Sequence, residues 1–353
     1  MTSILWWSRL VNSARFIDNI VYELNNDRSV MLLFGSEIPW EDIMIDTIIQ
    51  KLECKSGRTS EIHDVSDADS AGEYLLKHFC SKDEQAKFWP TTHESPEKYL
   101  SISTKTTIHK RYVFLTGIKQ ENALMWTHSV TEYLKNCDDT HEHGVFIIII
   151  KGVDVPDIKY LTTFRYNDYV TDYDCMMLCL TLVSELKCSR SEKMYLCEVA
   201  SNIAHNNVEL ASMLVASSTD LIKHPYEVTK SVFEKNEIKL TKLDERVRTA
   251  VWEAQIKLIF PKIENIRAEL IRKYENRISH YLPIKSSNND IVDKASDLEI
   301  GQLFHICKEN RSQNVIDPSK FEILKKMRDA RNALAHLETL SYSQLMETGV
   351  FNF

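Results

Sequence analysis

Arg331, Asn332 and His336 fall within six residues, RNALAH, near the end of a chain of 353. A guanidinium, a carboxamide and an imidazole are the groups that phosphate-ester chemistry can use without a metal. The guanidinium presents a planar fork of N–H donors to a phosphate. The imidazole titrates near neutrality and can shuttle a proton. The carboxamide can orient the pair or bind the phosphate. On a straight helix five steps make about 500°, leaving Arg331 and His336 about 140° apart. They would converge if the helix bends, or if a groove forms between two copies. A plainer arrangement competes. Asn332 and His336, at i and i+4, suit a hydrogen bond across one turn, and Arg331 has Asp329 and Glu338 nearby. Glu253 and Lys257, four apart on an earlier helical run, are further candidates for the same cleft. A surface ion pair is the competing reading of those two.

The elements that must position these residues are helical. DPSKFEILKKMRDA precedes the motif, with Asp317 placed to cap a helix, Pro318 at its first position, and Phe321, Leu324 and Met327 on one face. Upstream, Ile263, Ile266, Leu270, Tyr274, Ile278 and Tyr281 form one apolar stripe, opposed by Lys262, Glu269, Arg272 and Lys273. Pro261 is expected to kink or divide that helix. SDLE (296–299) and SYSQ (341–344) read as capping boxes. PIKSSNNDIVDK (283–294) reads as a loop. Residues 241–353 are therefore expected to form a bundle of helices.

The first part of the chain alternates differently. SVMLLFG (29–35), RYVFLTGI (111–118) and GVFIIII (144–150) are short continuous apolar runs, suited to strands buried on both faces, and SEIHDV adds another strand. PWEDIMIDTIIQKLE, SAGEYLLKHFC and ENALMWTHSVTEYLKN are helical runs between them. This alternation predicts an open, doubly wound parallel sheet over 1–170. Residues 171–240 read as a helical lid or linker. Residues 79–110, with Trp89, Pro90, His93 and Tyr99, read as a polar insertion with a short helix, or as a substrate or partner loop.

Composition bounds the function. Only eight Gly and eight Pro in 353 residues disfavour an all-β sandwich. The formal charge of −8 is uneven: the first 240 residues carry −10 and the rest +2. The acidic front is a poor general nucleic-acid binder, so any such contact belongs to the back. No DNA specificity is legible. None of the eight cysteines forms a CxxC pair, and Cys175 and Cys179 in DCMMLCLTLV read as buried thiols rather than zinc ligands. His141 and His143 in THEHG lack further metal ligands, and GxSxG and HExxH are absent. No cofactor or metal is expected. No run reaches the ~18 apolar residues of a membrane span, and a cytoplasmic location is expected.

Two resemblances follow. SVMLLFGSEIPWED, KRYVFLTGI and GVFIIIIKG occupy the places of the first strand with its phosphate loop, the second-motif strand and the sensor strand of AAA+ and STAND-type P-loop ATPases. The match is degenerate. GSEIPWED has one glycine, no Lys, and acids where phosphate would sit, and YVFLTG ends without a carboxylate for magnesium. The resemblance implies a nucleotide-type fold that does not hydrolyse ATP.

RNALAH resembles the signature of the HEPN family: Arg, a polar residue, three more residues, then His. The resemblance implies a homodimer with two motifs facing one cleft, and metal-independent RNA cleavage in which His336 moves protons, Arg331 neutralises the phosphate and the RNA 2′-OH attacks. A STAND-like front joined to such a back resembles bacterial defence and toxin proteins. The expected function is thus an endoribonuclease effector with a non-hydrolysing sensor or scaffold domain. The alternative is a non-catalytic adaptor working within a larger complex.

Overall fold

A computed structural model describes residues 1–53, 57–93, 95–138, 142–238, 241–285 and 289–349. Cys54, His141 and part of the 283–294 loop lie outside them, as does the side chain of His93. The chain packs as two compact units, Met1–Asp174 and Cys175–Phe353.

In the first unit, α1 (Thr2–Arg9) and α2 (Val11–Asn25) lead into β1 (Val30–Phe34), α3 (Glu41–Glu53) and β2 (Thr59–Asp64). Helices α4 (Ala71–Phe79), α5 (Lys82–Gln85), α6 (Pro90–His93) and α7 (Pro96–Ile102) follow, then β3 (Arg111–Ile118), α8 (Gln120–Asn136), β4 (Val145–Lys151) and β5 (Thr162–Arg165). The five strands form one parallel sheet in the order β2-β3-β4-β1-β5. Strand sequence follows position. VMLLF of β1 is buried throughout and VFIIIIK of β4 nearly so, because both are flanked by strands and covered on both faces. The edge strand β2, TSEIHD, has only exposed and half-buried residues and none buried. Met31, Leu33, Leu115 and Ile148 join Leu75, Phe79, Trp126 and Tyr133 of α4 and α8 in one core. On the other face, Phe16 of α2 meets Phe34, Phe164, Tyr166 and Tyr169 edge-on. Helices on both faces of a parallel sheet are what the front alternation predicts.

The helix α9 (Asp172–Val183) opens the second unit, followed by α10 (Arg190–Ala204), α11 (Val208–Ala216), α12 (Thr219–Lys223), α13 (Pro225–Lys235) and the long α14 (Leu243–Ile278). A two-stranded ribbon, β6 (Ile284–Lys285) with β7 (Ile291–Val292), lies within the expected 283–294 loop. Helices α15 (Ile300–Glu309), α16 (Pro318–Ala335) and α17 (Tyr342–Glu347) complete it. The segment expected as a separate lid packs with the later helices. Lys257 of α14 pairs with Glu198 of α10 at 2.6 Å, and Tyr342 of α17 donates to Glu192 of α10 at 2.7 Å.

Three local expectations are corrected. Pro261 does not divide α14; the kink, with non-helical backbone, falls at Tyr274 (φ −114°, ψ 17°). Proline removes one helix hydrogen bond, but Ile259 and Ile263 on either side are fully buried and hold the axis. The box before α15 is Glu299 with Gln302, not Ser296 with Glu299, because the backbone first turns helical at Ile300. Asp317 does stand at the N-cap of α16, yet its carboxylate does not bond the helix; it accepts from Tyr274 Oη and faces Lys273 at 3.6 Å.

Candidate functional site

The RNALAH corner is built by the end of α16. Phe321, Leu324, Met327, Ala330 and Leu334 form its buried face. Arg331 borders that face and is half-buried, whereas Asn332 and His336 are exposed. The helix stops at Ala335 with His336 as its C-cap. Leu337 N–H bonds Leu334 O at 3.2 Å and Glu338 N–H bonds Ala333 O at 3.0 Å, the two bonds of a Schellman stop. The left-handed residue of that stop is Leu337, at φ 61° and 66% exposed, where glycine is usual.

Two side chains of α14 hold this corner. Trp252 Nε1 donates to Leu334 O at 2.8 Å. Fully buried Gln255 donates to Leu340 O and accepts from Leu340 N–H, both at 2.8 Å, and also donates to Tyr195 Oη at 2.9 Å. One carboxamide thus satisfies both backbone groups of Leu340, which would otherwise be buried without partners. The polar groups of Trp252 and Gln255 are consumed in holding the corner. Arg331, Asn332 and His336 are not: among the described residues their side chains make no hydrogen bond or ion pair. Asp329, one of the carboxylates near Arg331, is taken by Arg328. Arg331 and His336 do not bond each other either; the helix ends between them rather than folding them together.

The corner lies at a helix C-terminus, where exposed carbonyls carry partial negative charge. A phosphate there needs cations from side chains, and Arg331 is the unpaired one in the motif. Glu253 and Lys257 are not joined to this corner. Lys257 pairs with Glu198, and Glu253 lines a different cavity with Asn202, His205, Lys242 and Arg246.

The second arrangement lies in the first unit, at the carboxyl ends of the strands. Ligands of open α/β sheets bind there, where connections leave in opposite directions. The crevice, about 420 Å³, is lined by Glu41, Asp42 and Asp46 of α3, Asp64 closing β2, Thr116 and Gly117 of β3, and Lys151 closing β4. Glu41 and Asp42 occupy the first turn of α3, the end that attracts anions. Lys151 Nζ is 2.8 Å from Glu41 and 3.8 Å from Glu37. Burial works to lower the Lys151 ammonium, but the Glu41 carboxylate overrides it and holds the group above its ordinary value. The Ser66 backbone N–H, 3.0 Å away, holds Asp64 below the usual carboxylate range. At an effective dielectric of 20, each carboxylate about 4 Å from a phosphate charge would cost about 4 kcal/mol. The loop before α3 is also spoken for: Ile38 is buried and Pro39 O accepts from Trp7 Nε1 at 2.9 Å.

Sequence reasoning missed Asp64. It found no acid at the end of β3, but register puts Asp64 of β2 opposite Thr116. At Gly117, φ 75°, an added Cβ would stand 2.3 Å from Asp64 Oδ1, so the glycine admits the carboxylate. The Cys175 and Cys179 thiols are buried and not disulfide-bonded, and the contact with Cys175 together with burial pushes Cys179 far above the ordinary thiol value. Among the described residues no group of three metal-ligating side chains is found, and no helix is long and apolar enough to cross a membrane.

No protein-family model matches the chain, and no curated protein does. Among solved structures, a RuvB mutant of Thermotoga maritima is 10% identical, covering 69% of this chain and 73% of that one, with a TM-score of 0.35. The Aeropyrum pernix ORC1 protein in complex with DNA is 10% identical over 91% and 83%, TM-score 0.35. The replication initiator DnaA bound to AMPPCP and single-stranded DNA is 12% identical over 94% and 92%, TM-score 0.33. Scores this low carry no argument about function.

Proposed function

We propose that the chain is an effector with two separate offices: a front unit of ATPase-like architecture that does not turn over nucleotide, and a helical back unit that cleaves RNA at Arg331, Asn332 and His336. The observation that carries the second office is that these three side chains have no hydrogen-bond or ion-pair partner among the described residues, while Trp252 and Gln255 lock the backbone beneath them. Arg331 neutralises the scissile phosphate with its fork. His336 takes the proton of the ribose 2′-OH, which attacks the adjacent phosphorus as the P–O5′ bond breaks, and returns it to the leaving 5′-oxygen. Asn332 donates to the phosphate. Because the two catalytic side chains diverge on one helix, a second copy of the corner completes the cleft.

The first office is supported by the parallel sheet and by the Lys151–Glu41 pair in the strand-end crevice. Incubation of purified protein with RNA, beside His336→Ala and Arg331→Lys variants and with EDTA present, tests the reading. Cleavage by wild type alone, insensitive to EDTA, is expected; wild type that cuts no RNA sinks it.

One observation favours the adaptor instead. Leu337, 66% exposed in a left-handed conformation beside His336, is what a contact surface for another protein would present. Under that reading His336→Ala disturbs association and no chemistry.

A further inference from the structure

The helix that carries RNALAH is basic beyond the motif itself. α16 holds five Lys and Arg against two acids, in a chain whose formal charge is −8. We propose that the RNA strand cut at the corner is held by its phosphates at two further cations, Lys325 of α16 on one side of the motif and Arg248 of α14 on the other. The proposal rests on the ribonuclease reading of the corner and names the groups that hold its substrate.

The first end of the track follows from helix geometry. Asn332 and His336 lie seven and eleven residues beyond Lys325, so at about 100° per residue all three fall within an arc of about 40°. At about 1.5 Å per residue, Lys325 stands about 16 Å along the axis from His336. Its ammonium is exposed and makes no hydrogen bond or ion pair among the described residues. Asp329 shares that face, but its carboxylate is taken by Arg328, whose Nε donates to it at 3.0 Å. Arg328 is fixed in turn, its guanidinium 3.7 Å from the centre of the Phe304 ring. The other acid of the helix, Glu322, faces Arg311 at 3.9 Å. Both acids of α16 are thus answered by arginines. Lys325 and Arg331 face no carboxylate, and Lys326 bonds only the Glu347 carbonyl, at 3.2 Å.

The second end lies on α14, which runs antiparallel to α16. Trp252 meets Leu334 near the end of α16, and Tyr274, further along α14, bonds Asp317 at its start. Residues of α14 before Trp252 therefore continue past the end of α16, beside the chain that carries His336 and Leu337. Arg248, Trp252 and Gln255 fall within an arc of about 60°. The latter two bond Leu334 and Leu340, on either side of His336. Arg248 is exposed on that side, with no hydrogen bond or ion pair among the described residues. A helix C-terminus carries partial negative charge, so a phosphate chain crossing it needs cations to either side. Glu338 is exposed there too and unpaired among the described residues, but Arg248, Lys325 and Arg331 outnumber it. Cations that track the backbone are how single strands are held, and the 2′-OH required beside His336 makes the strand RNA.

Fluorescence anisotropy tests this on the full chain carrying His336→Ala, which leaves the RNA uncut, with an end-labelled single-stranded oligouridylate over a range of salt concentrations. Each phosphate contact on a single strand contributes about −0.7 to the slope of log affinity against log salt. Lys325→Gln and Arg248→Gln should each flatten that slope by about 0.7 and weaken binding up to about fivefold, the ceiling for one exposed charge contact. Both positions are exposed, so melting temperatures should not move. Lys187→Gln, the same charge change in the turn ahead of α10, should alter neither slope nor affinity. Unchanged slopes in Lys325→Gln and Arg248→Gln overturn the track. An equal effect in Lys187→Gln also overturns it, because attraction by net charge alone would then suffice. Single-stranded DNA of the same length held more tightly than the RNA overturns the occupant assigned. The ribonuclease reading fails separately: wild type that cuts no RNA, in a chain whose slopes change as expected, removes the chemistry and leaves the track.

Discussion

The strand-end crevice and the RNALAH corner are opposite solutions to placing charge. In the crevice Lys151 and Asp64 each have an internal answer: Glu41 and Glu37 for the ammonium, Ser66 N–H for the carboxylate. At the corner the internal answers stop at the backbone. Gln255 and Trp252 satisfy Leu340 and Leu334, and the side chains of Arg331, Asn332 and His336 are left over. A site whose single ammonium is already paired, among carboxylates, has little to offer an anion. One whose scaffold is satisfied and whose functional groups are unpaired leaves those groups available to a ligand. The degenerate loop GSEIPWED and the intact triplet RNALAH are the sequence forms of that difference.

The largest expected effect breaks the comparison if it fails. His336→Ala should lower RNA cleavage by about 10²–10⁴-fold, the usual share of general acid–base catalysis. His336 is exposed and unpaired, so calorimetric melting should be unchanged. Lys151→Met, made in the crevice, should leave cleavage where it was. Equal losses in both variants would mean that the crevice takes part in the chemistry and that the contrast is false.

Next in size is Gln255→Leu, nearly the same shape without the amide. It strips partners from Leu340 N–H, Leu340 O and Tyr195 Oη, all at a buried position. Unsatisfied buried groups cost about 1–3 kcal/mol each and do not add fully. A loss of about 2–4 kcal/mol in urea unfolding is expected, with reduced cleavage because the chain beyond His336 loses its anchor. Unchanged stability would show that the corner is held by something else.

These anchors explain what the sequence could and could not tell. β3 spans Arg111–Ile118, the bounds of the apolar run RYVFLTGI, because a strand buried on both faces writes its burial into consecutive residues. SYSQ is a real capping box because all its bonds are local. RNALAH could be found as a motif for the same reason. Trp252 and Gln255 were not legible as its supports: they act on residues 82 and 85 positions away, and each looks like one more residue of a helix. Asp64 was missed for the same cause, since β2–β3 pairing brings it beside Thr116. Pro261 misled in the other direction, a local penalty overridden by packing.

Leu337→Gly has a smaller effect of opposite sign. A non-glycine residue in the left-handed region costs about 1–2 kcal/mol, and glycine's extra freedom in the unfolded chain returns about 0.5–1 kcal/mol of that. The side chain is 66% exposed, so little packing is lost. A gain of about 0.5–1 kcal/mol in urea unfolding is expected. Under the ribonuclease reading cleavage persists. If Leu337 is instead a contact for another protein, stability rises while association measured by light scattering falls.

The smallest effect sharpens the other side of the comparison. Asp64 is exposed, and the Ser66 N–H holds its folded-state pKa below the ordinary value. A carboxyl lowered in this way stabilises the fold above its unfolded pKa of about 3.9. That contribution disappears as pH falls through the lower folded value. Asp64→Asn keeps a side-chain oxygen to accept from Ser66 but does not titrate. The wild-type advantage over the variant should therefore be flat from neutrality down to about pH 5 and then shrink toward zero as acid is added. Solvent screening limits it to a few tenths of a kcal/mol, the scale of exposed charge contacts. Paired urea melts at closely spaced acid pH read the difference directly. A difference that grows with acid would mean that the crevice carboxylates repel one another more than Ser66 steadies this one, and the crevice would no longer count as internally answered.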